Sequence, residues 1–378
     1  MKAHPSSTSS SEARGRRALR ACGWAVLLVI AVDLGCRWLL PTGFLPLIER
    51  LTRARIAAQP APDIEIIGDS VARSGFLAAG LSGNGLVARN SALPASGPVI
   101  SYYLLHEALA AGRVPRALVI AHSPHNFSQF RYAVMMGSFA QWHELPDAMR
   151  VYGRWRDSAY AVMTRLSYLL MHRDSLQSAL RDRDFSFFRT PDADTTLLSD
   201  RDELRNFRSE YAAGRFDRSR LTGPVDDFYR QPFTVLPIND FYFRRLLAMA
   251  RAQGVRVYWF TMPTPAAIRD ARVPVHYEQD LLGYLRQFEA RGELTLLRAN
   301  FVVYDDTMFR DWLHLNLKGA VQLACEMRSL RGRIVADLGA RAAGRPPPVA
   351  DADDPQAVLE QYCGPDGRVN PPVPPPRS

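Results

Sequence analysis

The hydrophobic pattern along the chain changes character four times. From Ala21 to Val32 every residue is apolar or glycine, and the apolar run resumes past Asp33 and Arg37 to Leu40, giving 20 residues. That is about the length needed to cross a bilayer as a helix. Residues 41–62 carry Pro41, Pro46, Pro60 and Pro62 and read as a linker. A repeating core follows: a strand over 63–68, another near 86–90, a helix over 98–112, and a continuous apolar run at Arg116–Ala121 that predicts a buried strand. Later come a helix over 239–253, a strand at Val255–Met262, a helix over 275–291, a strand within 294–303, and a last helix from Leu317 to about 338. Strands alternating with helices predict an α/β fold with a parallel sheet and right-handed crossovers. Between 127 and 235 the alternation stops; Tyr160–Leu170 reads as helical and the following stretch is charged. An insertion there, at the carboxyl side of a strand, predicts a cap over the active face. Residues 339–378 are Pro-rich and predict a disordered tail.

Composition changes this picture little. The chain has 378 residues, 47% hydrophobic and 22% charged, enough for a full core. Its net charge of +9 rests on arginine, since Lys2 and Lys318 are the only lysines. No basic run interleaved with aromatics occurs, so nucleic acid is not an expected partner. Arg14, Arg16, Arg17 and Arg20 precede the apolar run, which predicts a cytoplasmic basic tail over 1–20, an uncleaved single-pass anchor over 21–40, and an exported domain over 63–338. Asp33 and Arg37 stand four apart, the spacing of a helical ion pair; snorkelling at the outer interface is the simplest expectation, contact with a membrane partner the sharper one. Of the four cysteines, Cys22 and Cys36 lie in the apolar run, and Cys325 and Cys363 near the end. There is no C-x-x-C, and Cys363 sits in the Pro-rich tail, so no bridge and no zinc site are expected. His122 and His125 lack a third ligand at matching spacing, and no metal or cofactor is expected.

The chemistry concentrates in two places. Ile64–Gly68 followed by Asp69-Ser70 and Val71–Leu77 has the form strand, tight turn, helix, which presents a hydroxyl at the carboxyl end of a sheet. Far along, Asp311-Trp312-Leu313-His314 puts a carboxylate one turn from an imidazole, which can then accept a proton on its free nitrogen. Serine early and Asp-x-x-His late resembles the SGNH/GDSL hydrolase superfamily. The resemblance implies a flavodoxin-like three-layer sandwich, with Ser70 as nucleophile, His314 as base and Asp311 orienting it.

Two further stretches fall where that superfamily has its other blocks. Asn90-Ser91-Ala92 has alanine where relatives often have an oxyanion-donating glycine, and His122-Ser123-Pro124-His125-Asn126-Phe127 lacks their Gly-x-Asn-Asp. The resemblance offers Ala92, Asn126 and Ser123 for oxyanion or substrate positioning. Arg73, one turn after Ser70, is offered for an anionic group, with a solvated helix arginine as the alternative. Ser-Pro-x-x-Phe is similar to the anchored D-alanyl-lipoteichoic acid biosynthesis branch, with the alginate O-acetylation proteins as further relatives. What this implies is an enzyme of the bacterial inner membrane, its catalytic domain in the periplasm, transferring or hydrolysing acyl groups on an envelope polysaccharide beside a membrane-bound O-acyltransferase. The alternatives are a non-catalytic glycan-binding scaffold for such an acyltransferase and a lipid esterase.

Overall fold

The computed structural model describes residues 9–39, 44–129, 142–152, 155–183, 200–216, 218–339, 354–364 and 366–370. Five strands form a parallel sheet: β1 (Ile64–Gly68), β2 (Ala88–Asn90), β3 (Ala117–Ala121), β4 (Arg256–Phe260) and β5 (Thr295–Arg298), in the order β2-β1-β3-β4-β5. Each expected strand is found, most of them shorter than the apolar run that announced it. Side chains alternate across the sheet, as period two requires. Ile67, Leu118, Ile120, Val257 and Trp259 face one core. It is closed by α4 (Pro98–Ala110), α10 (Pro237–Ala252) and α12 (Tyr277–Glu289). Ile64, Ile66, Val119, Tyr258 and Phe260 face the other, closed by α3 (Ser70–Gly75) and α13 (Leu317–Asp337). The chain order reverses between β1 and β3, and at such a switch point the strand ends leave a crevice for a ligand.

Four expectations need correction. Residues 44–58 form helix α2 (Phe44–Ala58), not a linker. Pro46 lies in its first turn, where a missing N–H costs nothing, so prolines at both ends obscured an apolar stripe. Ile56 is buried, Arg53 pairs with Glu107 of α4, and the Arg55 guanidinium donates to the Asn90 carbonyl at 2.5 Å.

Second, the tail is folded over 354–364 and 366–370. Asp354 caps α14 (Pro355–Tyr362) by accepting from the Gln356 N–H, and Val358 and Leu359 are buried against α13. Cys363 is thereby brought to Cys325, and the two form a disulfide with Cα atoms 5.2 Å apart. Proline content masked an Asp-Pro helix start. The other residues of the tail lie outside the described ones.

Third, the insertion is not one cap. Helix α5 (Leu145–Tyr152) joins the α4/α10 core through Leu145 and Ala148. Helix α9 (Asp200–Ala212) packs Leu204 and Phe207 against α13 and α14. Among the described residues, the segment from 221 to 236 meets the loops that follow the strands, where the Trp312 indole N–H donates to the Thr222 carbonyl and Ser128 donates to that of Thr234.

Fourth, Asp33 and Arg37 both hydrogen-bond to the folded domain. Helix α1 (Ser9–Leu39) contains one 24-residue segment, Arg16–Leu39, long and apolar enough to cross a membrane. Near its end the Asp33 carboxylate accepts from the Ser167 hydroxyl at 2.7 Å and the Leu169 N–H at 2.9 Å, at the start of α7 (Tyr168–Met171). Arg37 donates to the Leu166 carbonyl at 2.8 Å. Both charges satisfy groups at the junction of α6 (Trp155–Leu166) with α7, so the apolar helix is fastened to the folded domain.

The Cys325–Cys363 bridge spans 38 residues, for which loop-closure entropy predicts about 2–4 kcal/mol of stabilisation. Cys363→Ser is expected to lower the unfolding free energy by about that much in a denaturant titration; an unchanged midpoint would show the tail to be loosely attached.

Candidate active site

Ser70 is the first residue of α3, and the geometry of its turn follows from Gly68. A Cβ there would lie 2.3 Å from the Ala121 carbonyl oxygen and 2.6 Å from Ala72 Cβ, so only glycine lets β1 turn this closely beside β3. Asp69 is the N-cap, its Oδ1 accepting from the Val71 N–H at 2.9 Å. Its Oδ2 accepts from the Ser123 N–H at 2.8 Å and from the Asn126 side-chain amide, both just past β3. Burial pushes the Asp69 pKa up, opposed by hydrogen bonds from Ser123, Val71 and Ala72. Asn90, at the end of β2, donates to the carbonyls of Ala72 and Phe76, and so holds the far end of α3. The serine-bearing turn is thus fixed from both neighbouring strands.

The loop carrying Asp311 and His314 is pinned at its base. Phe309 and Leu315 form an antiparallel bridge, and the Arg310 N–H donates to the His314 carbonyl at 3.0 Å. Asn316 caps α13 by accepting from the Gly319 N–H, while its amide donates to the Thr307 carbonyl at 2.7 Å. A Cβ on Gly319 would come within 2.4 Å of the Met308 carbonyl, so the loop lies flush on the helix start.

These two constructions bring the expected triad together. His314 Nε2 lies 2.9 Å from Ser70 Oγ, and His314 Nδ1 lies 2.9 Å from both Asp311 carboxylate oxygens. With Nδ1–H donated to the carboxylate, Nε2 is left to accept from the Ser70 hydroxyl. Partial burial works to raise the Asp311 pKa, yet hydrogen bonds from the His314 ring and from the His314 and Leu313 N–H groups hold it well below the usual range. Asp311 is therefore an ionised orienting group.

The remaining expected residues fall elsewhere. The Ala92 N–H donates to Asn90 Oδ1 at 3.0 Å, so it is committed to the protein rather than to an oxyanion. Ser123 and Asn126 both serve Asp69, as positioning groups. The Asn239 amide braces that loop by donating to the carbonyls of Asn126, Phe127 and Gln129, each at 2.9 Å. As first residue of α3, Ser70 has an N–H with no acceptor inside the helix, leaving it available for an oxyanion. Arg73 is half-buried rather than a fully solvated helix arginine, and its charge is coupled to Arg55 of α2 and Glu203 of α9. His122 and His125 diverge: His122 Nε2 meets Ser101 Oγ at 2.8 Å inside the core, where burial pushes its pKa down to about 3, and His125 packs edge-on against Phe228.

Sequence reasoning missed Asp69, Asn90, Asn239, Asn316 and Glu203. The first two and Asn316 stand beside recognised motifs, and side-chain capping at strand–helix junctions was the available signal. No protein-family model matches the sequence, and no curated protein matches it.

Glu203 yields a pH prediction. Burial, reinforced by Asp200 and opposed by Arg73 and Arg310, pushes its pKa up to about 8 from the ordinary glutamate value of 4.5. An acid whose folded pKa is raised contributes its full stability below the unfolded value and loses it as pH rises through the folded one. Glu203→Gln is expected to gain stability relative to the parent as pH increases from about 4.5 through about 8, followed by thermal unfolding. Parallel stability profiles for the two proteins would disprove this burial.

Proposed function

We propose that this protein is a membrane-tethered serine acyl hydrolase or acyltransferase acting on O-acyl groups of an envelope polysaccharide. The observation that carries the reading is the hydrogen-bonded series Ser70–His314–Asp311, assembled from residues 244 positions apart at a crevice between β1 and β3. In the reaction Ser70 Oγ attacks the acyl carbonyl while His314 Nε2 takes its proton. The Ser70 N–H donates to the developing oxyanion. Collapse of the tetrahedral intermediate returns the proton from His314 to the leaving sugar oxygen and leaves an acyl-Ser70 ester. Water or a second sugar hydroxyl, deprotonated by His314, then takes the acyl group and restores the serine. Asp311 keeps the imidazole in the required tautomer and stabilises its cationic form.

The likeness to the SGNH/GDSL superfamily supports this reading through chain order and the strand–turn–helix setting of Ser70, and the strand order is that of doubly wound sheets. The apolar helix α1 and the Cys325–Cys363 disulfide support an anchored domain in an oxidising compartment, the bacterial periplasm. A second reading, a glycan-binding scaffold for a membrane-bound O-acyltransferase, draws on the Ala92 N–H, which is spent on Asn90.

Full-length protein in detergent is expected to hydrolyse small acetyl esters, and Ser70→Ala to lower turnover by about 10³-fold or more. Full turnover in the Ser70→Ala protein would exclude the enzyme; a wild type with no turnover that still binds glycan would favour the scaffold.

A further inference from the structure

We propose that the cleft lined by the loop after β3 binds a carboxylate-bearing sugar unit of the substrate, with the Arg272 guanidinium as its anchor. As a substrate subsite it rests on the acyl-transfer reading above. The cleft has a volume of about 280 Å³, and its lining includes His125, Ser128, Phe228, Tyr229, Arg272 and Tyr277. This is close to the lower end of small-molecule sites, about 300 Å³, and suits a single sugar-sized group. It is linked to the triad through the loop after β3: His125 lines the cleft, and the next residue, Asn126, holds Asp69, which precedes Ser70.

Arg272 closes α11 (Ala266–Arg272) and is only 3% exposed. Among the described residues it has no ion pair, and its Nε has no hydrogen-bond partner. Glu278, the acid coupled to it, leaves its own Oε1 without a partner. Glu278 offsets the burial of this cation without hydrogen-bonding it, so the guanidinium keeps donor capacity for a further anion. Three rings surround the guanidinium, those of Tyr277 at 4.6 Å, Phe301 at 5.1 Å and Tyr229 at 5.7 Å. Among these rings the guanidinium has N–H donors that match the two oxygens of a carboxylate. The Tyr277 hydroxyl, also buried without a partner, is a second donor.

The rest of the cleft suits a sugar. Phe228 and Tyr229 contribute aromatic rings to the lining, and Gln129 and Gln231 contribute neutral polar groups suited to hydroxyls. Its walls are knit together, since Ser128 donates to the Thr234 carbonyl at 2.6 Å and accepts from the Thr234 N–H at 3.3 Å. A polymer with one acidic unit seated on Arg272 would present a neighbouring O-acyl group to Ser70.

The test measures binding in the full-length Ser70→Ala protein in detergent, by calorimetry, with three probes: a short oligogalacturonide, a neutral glucose oligomer of equal length, and inorganic phosphate. The oligogalacturonide is expected to bind, the neutral oligomer far more weakly, and Arg272→Gln to weaken oligogalacturonide binding about 10- to 100-fold. Tyr277→Phe, checked for unchanged thermal unfolding, is expected to weaken it about 2- to 10-fold and stands in if the Arg272 variant fails to fold. Equal affinity for the neutral oligomer, binding untouched by these substitutions, or phosphate binding in place of the oligogalacturonide would overturn the proposal. Because no turnover is needed, the two ideas fail separately. Binding without esterase activity in the wild type sinks the reaction alone, and an active enzyme blind to the oligogalacturonide sinks the subsite alone.

Discussion

The carboxylate of Asp69 is the joint on which the site depends. It caps the helix that begins at Ser70, and it draws in the Ser123 N–H and the Asn126 amide from the loop after β3. A single buried group therefore fixes the serine turn and the neighbouring strand end in one arrangement. Removing water from a carboxylate is costly, and the cost is offset only because every oxygen is met by aligned donors. Gly68 makes the arrangement sterically feasible, and Asn90 and Asn239 brace it from the flanking strand and helix. Ser70 is thereby held still beneath an imidazole supplied from the opposite end of the chain.

Much of this was legible in residue order. Continuous apolar runs marked β1, β3 and β4 because strands covered on both faces need no alternation. The nucleophile and the Asp-x-x-His pair were legible because each chemical role demands a particular residue type in a particular local setting. The supporting groups were harder to read, because beyond its local capping role an Asn or Asp gives no sign of the distant backbone groups it also satisfies, as Asp69 does for Ser123 and Asn239 for Asn126. Asn126 shows the difference: read as an oxyanion donor by analogy, it instead serves Asp69, through a contact between positions 57 apart. The tail and α2 were misread for a different reason. Proline density was taken as evidence against structure, although Pro46 and Pro355 both occupy helix first turns.

The relation between the apolar helix and the folded domain also differs from a flexible leash. Asp33 and Arg37 spend their charges on the α6–α7 junction, and α2 packs on α4. If α1 crosses a membrane, its contacts at Asp33 and Arg37 would restrict how Ser70 and His314 stand relative to that surface. For an enzyme acting on a polymer close to that surface, such a restriction would set which stretch of substrate reaches Ser70.

The central claim is that His314 activates Ser70 across the 2.9 Å hydrogen bond between them. Its most direct measure is the rate at which a serine-directed phosphonate labels Ser70, read by peptide mass, in the parent protein and in His314→Ala. The account predicts single labelling at Ser70 that slows about 100-fold or more without the imidazole. Equal labelling rates in the two proteins, or no labelling of Ser70 in either, would contradict it.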